Sequence, residues 1–183
     1  MKIKGKNIRF SQLICLLIYY GFARYLPCSY FPLGKLWKKI RYALCKRIFK
    51  SCGKDVNIER MAYFGTGINL QIGDHSGLGV NCKVPDNVII GDHVMMGPNC
   101  YMFSNNHEFS RTDIPMGLQG IKQSKAIVIE DDIWIGRNVT ILPGRHISKG
   151  SIVGACCLLC KDFPPYSVIG GNPSKLIKSR IEQ

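Results

Sequence analysis

The chain has 183 residues and a formal net charge of +13, enough length to bury a core in one domain. The charge first suggests a nucleic-acid binder, but residues 1–54 hold thirteen Lys and Arg with no Asp or Glu, while residues 55–183 carry twelve of each sign. The body is therefore electrically balanced: no nucleic-acid partner is expected, and the basicity belongs to an N-terminal device. None of the nine cysteines forms a CxxC pair with a matching partner at zinc-ligand spacing, so no metal is expected, and free thiols fit a reducing cytoplasm.

In chain order, residues 1–54 read as two helical pieces separated by Pro27 and the stretch from Ser29 to Gly34. Leu13 to Ala23 is apolar but falls short of the roughly 20 residues a transmembrane helix needs, and no small-residue cleavage site follows it closely, so a surface role suits it better. Lys35 to Lys50 is amphipathic, with Leu36, Trp37, Ile40, Leu44, Ile48 and Phe49 on one side and Lys38, Lys39, Arg41, Lys46, Arg47 and Lys50 mostly elsewhere. Such a helix suits the surface of an anionic membrane, and it equally suits the cap that every stacked-coil fold needs over its open end.

From residue 55 the pattern changes to aliphatic residues at every sixth position. Val56, Ala62 and Ile68 start it irregularly; then come Ile72, Leu78, Val84, Ile90, Met96 and Met102, and later Ile129, Ile135, Ile141, Ile147, Val153 and Leu159. Small or apolar residues, among them Ser76, Cys82, Cys100, Ile133 and Cys157, follow most of these four places later. A helical period cannot produce this. Six residues make one flat β face and a corner, so three units close a triangular coil of about 18 residues, and stacked coils share one interior. Cys82, Cys100 and Cys157 thereby become core fillers. Arg145 falls in an inward slot, where a buried guanidinium requires a partner or a bulged corner.

Residues 103–125 interrupt the repeat with a polar stretch containing Pro and Gly, expected to protrude as a loop of the kind that is usually functional. After Leu159 the chain turns through Pro164, Pro165 and Gly170 to Pro173, and Ser174 to Ile181 reads as a short terminal helix. The organisation expected is a cap or membrane-surface segment over 1–54, the coil domain over 55–173 and a C-terminal helix over 174–183.

The phase of the repeat also sorts the histidines. His75 and His93 both follow Ile-Gly-Asp one coil apart and should stack on an outward corner, and His146 has no evident partner. His107 stands alone in the loop, between Asn106 and Glu108. An imidazole there can take a proton from a hydroxyl as it attacks a carbonyl, though an ordinary loop histidine is the plainer reading. Trp134 is directed outward, at a coil corner, where an indole usually covers a subunit, a loop or a ligand.

These hexads, with Asn105-Asn106-His107-Glu108-Phe109, Asp132-Ile133-Trp134-Ile135-Gly136 and Gly170-Gly171-Asn172-Pro173-Ser174-Lys175, resemble the hexapeptide-repeat acyltransferases. The group includes galactoside, maltose and xenobiotic O-acetyltransferases and those of capsular and colanic-acid polysaccharide synthesis. The resemblance spans residues 56–181. It implies an all-β fold, a left-handed parallel β-helix, usually as a homotrimer, with acetyl-CoA as co-substrate in a groove between adjacent subunits. By resemblance His107 is the catalytic base, and Asn99 lies on the acceptor side unless it serves a corner or an asparagine ladder. Trp134 packs beside the pantetheine arm, and the Arg137 N–H donates to the thioester carbonyl. Ala155, Cys160 and Lys161 take the lower arm and nucleotide, and Lys175 and Lys178 meet the phosphates. Cys160 stands where the family often has a hydroxyl residue, which puts one cofactor hydrogen bond in question.

The function implied is acetyl transfer to a saccharide hydroxyl in polysaccharide biosynthesis, on the cytoplasmic side. Amine or serine acceptors, and a non-catalytic trimeric scaffold, remain open. The metal-dependent carbonic anhydrases of similar scaffold need three gathered histidines, and no close His pair accompanies His107.

Overall fold

The computed structural model describes residues 2–3, 6–123 and 125–181. Its body is a triangular coil whose three flat faces are built mostly from two-residue strands. On the first face, Ser51–Cys52, Gln71–Ile72, Ile89–Ile90, Val128–Ile129 and His146–Ile147 stack in parallel, placing Ile72, Ile90, Ile129 and Ile147 in register. On the second, Met95–Met96, Trp134–Ile135, Ile152–Val153 and Ser167–Gly170 do the same. The third carries Tyr101–Met102, Thr140–Ile141 and Leu158–Leu159, extended by bridges from Tyr101 to Lys83 and from Lys83 to Tyr63.

The period of six works because the alternate residue of each strand points inward while its neighbour points out. Ile135, Ile141 and Val153 are fully buried, and Cys82, Cys100 and Cys157 fill the small slots behind them. Corners are turned by residues in the left-handed region, among them His75, Asn81, His93, Asn99, Asp132 and Asn138, a conformation that short polar side chains tolerate. Close coil stacking also needs glycine. A Cβ on Gly136 would lie 2.6 Å from the Ala155 nitrogen.

In the first coil the sixth-position register runs through Cys52 and Ile58, which pair with Ile72 and Leu78. Val56 and Ala62 are fully buried, but they occupy the smaller slots one coil below Ser76 and Cys82, so the irregular start is a phase offset. The terminal helix expected from Ser174 does not form. Lys175–Ser179 is a strand antiparallel to Ser167–Gly170: the second face ends in an open edge, and pairing with it satisfies a backbone that a short isolated helix could not.

Two helices, α1 (Phe10–Gly21) and α2 (Gly34–Ile48), form a hairpin over the first coil, and Cys15, Leu16, Tyr19, Cys45 and Ile48 belong to the same core cluster as the coil interior. Tyr19 donates to the Ala62 carbonyl at 2.9 Å and Tyr20 to that of Gly65 at 2.7 Å. Arg41 does not join the basic side of α2, as the sequence pattern suggested. It is completely buried, donating to the carbonyls of Leu26, Pro27 and Ile58 and to Glu59. A guanidinium with that many acceptors can be enclosed where an unpaired one could not.

Candidate active site

Trp134 is 53% exposed and lies in a strand of the second face, not at a corner. The outward positions of that face run in register from Met95 through Trp134, Ile152 and Val168 to Lys178. At about 4.8 Å per strand, the track from the indole to the Lys178 position is roughly 14 Å long. It is apolar along most of its length and cationic at its end, where Lys175 and Lys178 are exposed.

The corner beside this track carries Arg137 and, one coil on, Ala155. Neither N–H has a backbone acceptor among the described residues, so both remain available as donors. Close approach is built in: a Cβ on Gly97 would sit 2.7 Å from the Arg137 nitrogen. Asn99 belongs to the same corner, and its left-handed backbone explains its place there. Its side chain accepts from Asn81 at 2.9 Å and donates to Asn138 at 3.2 Å. Asn99 is thus part of an asparagine ladder that ties three coils together, the corner role that the sequence left open.

At the next corner Cys160 holds Ser174: its N–H donates to the Ser174 hydroxyl at 3.2 Å, and its sulfur lies 3.3 Å from the same oxygen. The hydrogen bond from Ser174 lowers the Cys160 thiol below its ordinary range. Ser174, the hydroxyl residue beside Cys160, is itself buried. Lys161 is exposed, with its ammonium 5.4 Å from the Phe163 ring centre.

The interruption of the repeat is more ordered than a plain loop. Asn105–His107 pairs antiparallel with Ile121–Gln123, with His107 opposite Ile121, and a short 3-10 turn spans Met116–Leu118. Gln119 staples the tip: its amide oxygen accepts from the Arg111 N–H at 3.0 Å, and its nitrogen donates to the carbonyls of Arg111 and Ile114 at 2.8 and 3.0 Å. Glu108 is occupied by the N–H groups of Phe109 and Ser110, which hold its carboxyl below the usual range. His107 is exposed on this arm, and its ring makes no hydrogen bond, ion pair or ring contact with another described residue. Within one chain, then, Trp134, Arg137, Asn99 and Ala155 share a face and its corner, whereas His107 stands apart from them on the arm.

At the foot of the arm lies a groove of about 740 Å³. The Lys83 ammonium sits between two tyrosine rings, 5.7 Å from the centre of Tyr63 and 4.9 Å from that of Tyr101, and Phe103 continues the stack. Hydrogen bonding to Tyr101 raises the Lys83 pKa. Opposite, Thr66 donates to Asp86 at 2.7 Å, and Asn105 closes the end. Sequence reasoning missed this groove. Its only trace was that Tyr63, Lys83 and Tyr101 recur one coil apart at outward positions.

Of the remaining histidines, His75 and His93 stay at a corner, while His146 lies in a strand of the first face. The rings of His75 and His93 stack at 5.1 Å with an interplanar angle of 16°, beside Asp55, and His146 pairs with Glu130 at 2.8 Å. Arg145 finds partners: the carbonyl of Cys160 at 3.3 Å and the carboxylate of Asp162 at 3.4 Å.

Parallel faces of stacked six-residue units are the construction of the hexapeptide-repeat acetyltransferases, left-handed β-helix proteins, and the chain belongs to that family. It is 32% identical over 140 residues to the galactoside O-acetyltransferase of Escherichia coli K12, covering 75% of this chain and 68% of that one. Another Escherichia coli K12 protein, provisionally named a lipopolysaccharide-biosynthesis O-acetyl transferase, is 32% identical over 127 residues, covering 65% of this chain and 64% of that one. Among solved structures, a hexapeptide-repeat acetyltransferase of Vibrio cholerae in complex with acetyl coenzyme A superposes with a TM-score of 0.69 at 27% identity, covering 97% of this chain and 94% of that one. No family model matches the chain.

Proposed function

We propose that the protein transfers an acetyl group from acetyl-CoA to a saccharide hydroxyl, as a homotrimer whose sites lie between subunits, with His107 as general base. The observation that carries this reading is the exposed His107 in the paired stem of a stapled arm whose foot borders the Tyr63–Tyr101 groove. A pyranose ring suits that groove, since aromatic faces take the apolar side of a sugar while Asp86, Asn105 and Lys83 offer hydrogen bonds to its hydroxyls. The arm also exposes Phe109, Met116, Leu118 and Ile121. Apolar groups on a projecting arm call for a neighbouring copy, and docking there would bring His107 of one subunit over the Trp134 track of the next.

In the reaction His107 takes the proton of the acceptor hydroxyl while its oxygen attacks the thioester carbonyl. The Arg137 N–H donates to the oxyanion of the tetrahedral intermediate. Collapse expels the coenzyme A thiolate, which receives the proton from the imidazolium, and acetate is left in ester linkage on the sugar. The Trp134 face packs the pantetheine arm, the corner at Ala155, Cys160 and Lys161 takes its lower part, and Lys175 and Lys178 neutralise the phosphates. Asn99 borders the acceptor side through its ladder. The fit rests on the apolar track ending in exposed cations and on the two N–H groups without backbone acceptors. No cysteine nucleophile is required, and thiols left free throughout suit a reducing compartment. The lipopolysaccharide name of one relative supports an acceptor from polysaccharide assembly.

His107→Ala is expected to lower turnover by roughly 10²- to 10⁴-fold while leaving the dissociation constant for coenzyme A within about a factor of two. The measurement is coenzyme A release over a panel of sugars, nucleotide sugars and lipid-linked saccharides, with calorimetry for binding. Unchanged turnover on a responsive sugar removes His107 from the mechanism.

A further inference from the structure

The sequence pointed to α2 as the amphipathic surface helix, but in the structure α2 turns Arg41, Cys45 and Ile48 onto the coil and α1 is left with an open apolar face. Helix α1 contains no charged residue. Its inner side buries Gln12, Cys15, Leu16 and Tyr19. The outer side exposes Phe10, Ile14, Leu17, Ile18 and, just past the helix end, Phe22, at 77%, 42%, 66%, 45% and 60%. Their spacing of four, three, one and four residues traces a single stripe down the helix. A soluble protein rarely leaves such a stripe in water.

Charge indicates what covers it. Arg9 at the start of α1 and Lys35 and Lys39 on the adjoining α2 are exposed, and the whole of residues 1–54 lacks an acidic side chain. Two caps brought face to face would oppose like charges, whereas an anionic lipid surface offers hydrocarbon to the stripe and phosphates to the bases. The helix has 12 residues, about 18 Å at 1.5 Å per residue, too short to cross and suited to lying flat. An apolar trough of about 470 Å³ runs beside it, between Leu13, Leu16, Leu17 and Tyr20 on one side and Gly65 and Thr66 on the other. Gly65 and Thr66 also line the aromatic groove at the foot of the arm, so the two cavities adjoin at these shared residues.

We propose that the outer face of α1 docks the protein on an anionic lipid leaflet, and that the trough admits the lipid end of a membrane-borne saccharide whose sugar lies in the Tyr63–Tyr101 groove. Docking stands on the cap alone; delivery of the acceptor rests on the acetyltransferase reading.

The test compares the full chain with Phe10→Glu/Ile18→Glu, both on the exposed stripe and outside the trough. Co-sedimentation uses vesicles of phosphatidylcholine with phosphatidylglycerol, and pure phosphatidylcholine as control. The wild type is expected to pellet with the anionic vesicles at low salt and to be released as salt rises, and the variant to bind roughly tenfold or more weakly. With unchanged mass by light scattering, the variant should retain coenzyme A release on a water-soluble sugar and lose it on a lipid-linked sugar in the same vesicles. Equal pelleting of the two proteins, or none by either, overturns docking. A change of oligomeric mass in the variant also overturns it, by assigning the stripe to a subunit interface. Equal turnover of both proteins on the vesicle-borne sugar overturns delivery. If the wild type pellets yet no sugar, soluble or lipid-linked, releases coenzyme A, the acetyltransferase reading and delivery fall together while docking stands.

Discussion

Replacing Arg41 by Met keeps most of the side-chain volume and removes a buried cation that joins the helical cap to the first coil. Arg41 is fully enclosed and donates to Leu26 at 3.2 Å, Pro27 at 2.9 Å, Glu59 at 3.4 Å and the Ile58 carbonyl. Its loss strands those acceptors and leaves the Glu59 carboxylate, itself 7% exposed, with only Ser29, Asn57 and Arg60 as donors. Breaking a buried ion pair from one side costs about 3–5 kcal/mol. In a domain of this size each kcal/mol shifts the midpoint by about 2–4 °C, so thermal unfolding should fall by about 6–20 °C. The pair also sets an acid dependence. Burial disfavours ionisation of Glu59, but hydrogen bonds from Ser29 and Asn57 and the charge of Arg41 prevail and hold its pKa below the ordinary value. A depressed carboxyl contributes stability above its unfolded pKa and loses it as pH falls through the folded one. The wild type should therefore weaken on acidification below the usual carboxylate range, and Arg41→Met should show a shallower slope there. Urea unfolding followed from neutral to acidic pH measures both, with Arg41→Met/Glu59→Gln expected to recover part of the loss. A cost under about 1 kcal/mol, the level of an exposed pair, with an unchanged acid slope would refute the reasoning.

Trp134→Ala should raise the KM for acetyl-CoA roughly tenfold, about 1.4 kcal/mol of packing, with little change in the KM for the sugar; initial rates over both substrates separate the two. Tyr101→Ala and Lys83→Met should do the reverse, weakening the acceptor by about 1–2 kcal/mol while coenzyme A binding measured by calorimetry stays constant. Gly136→Ala forces a Cβ to within 2.6 Å of the Ala155 nitrogen, and the displaced coil should cost about 1–3 kcal/mol in urea unfolding.

Much of the fold was readable because a β face has a period of two and a coil a period of three faces. Ile72, Ile90, Ile129 and Ile147 were aligned by counting, and they are aligned in space. The same count placed His75 and His93 on one corner, where they stack. It failed where the answer depended on what the element packs against. Ser174 to Ile181 has the composition of a helix end, but an open sheet edge recruits Lys175–Ser179 as a strand. Arg41 has a surface residue's chemistry, but three carbonyls and Glu59 converge on it from other elements.

By itself the sequence determined the coil and its interruption at the arm, because periodicity and residue type are local properties. Tertiary structure alone decided that Lys83 lies between Tyr63 and Tyr101, that Ser174 stands beside Cys160, and that α1 and not α2 keeps its apolar side in solvent. Each of these relations joins residues distant along the chain, and only stacking one coil on the next, or a helix on a coil, brings them within reach of one another.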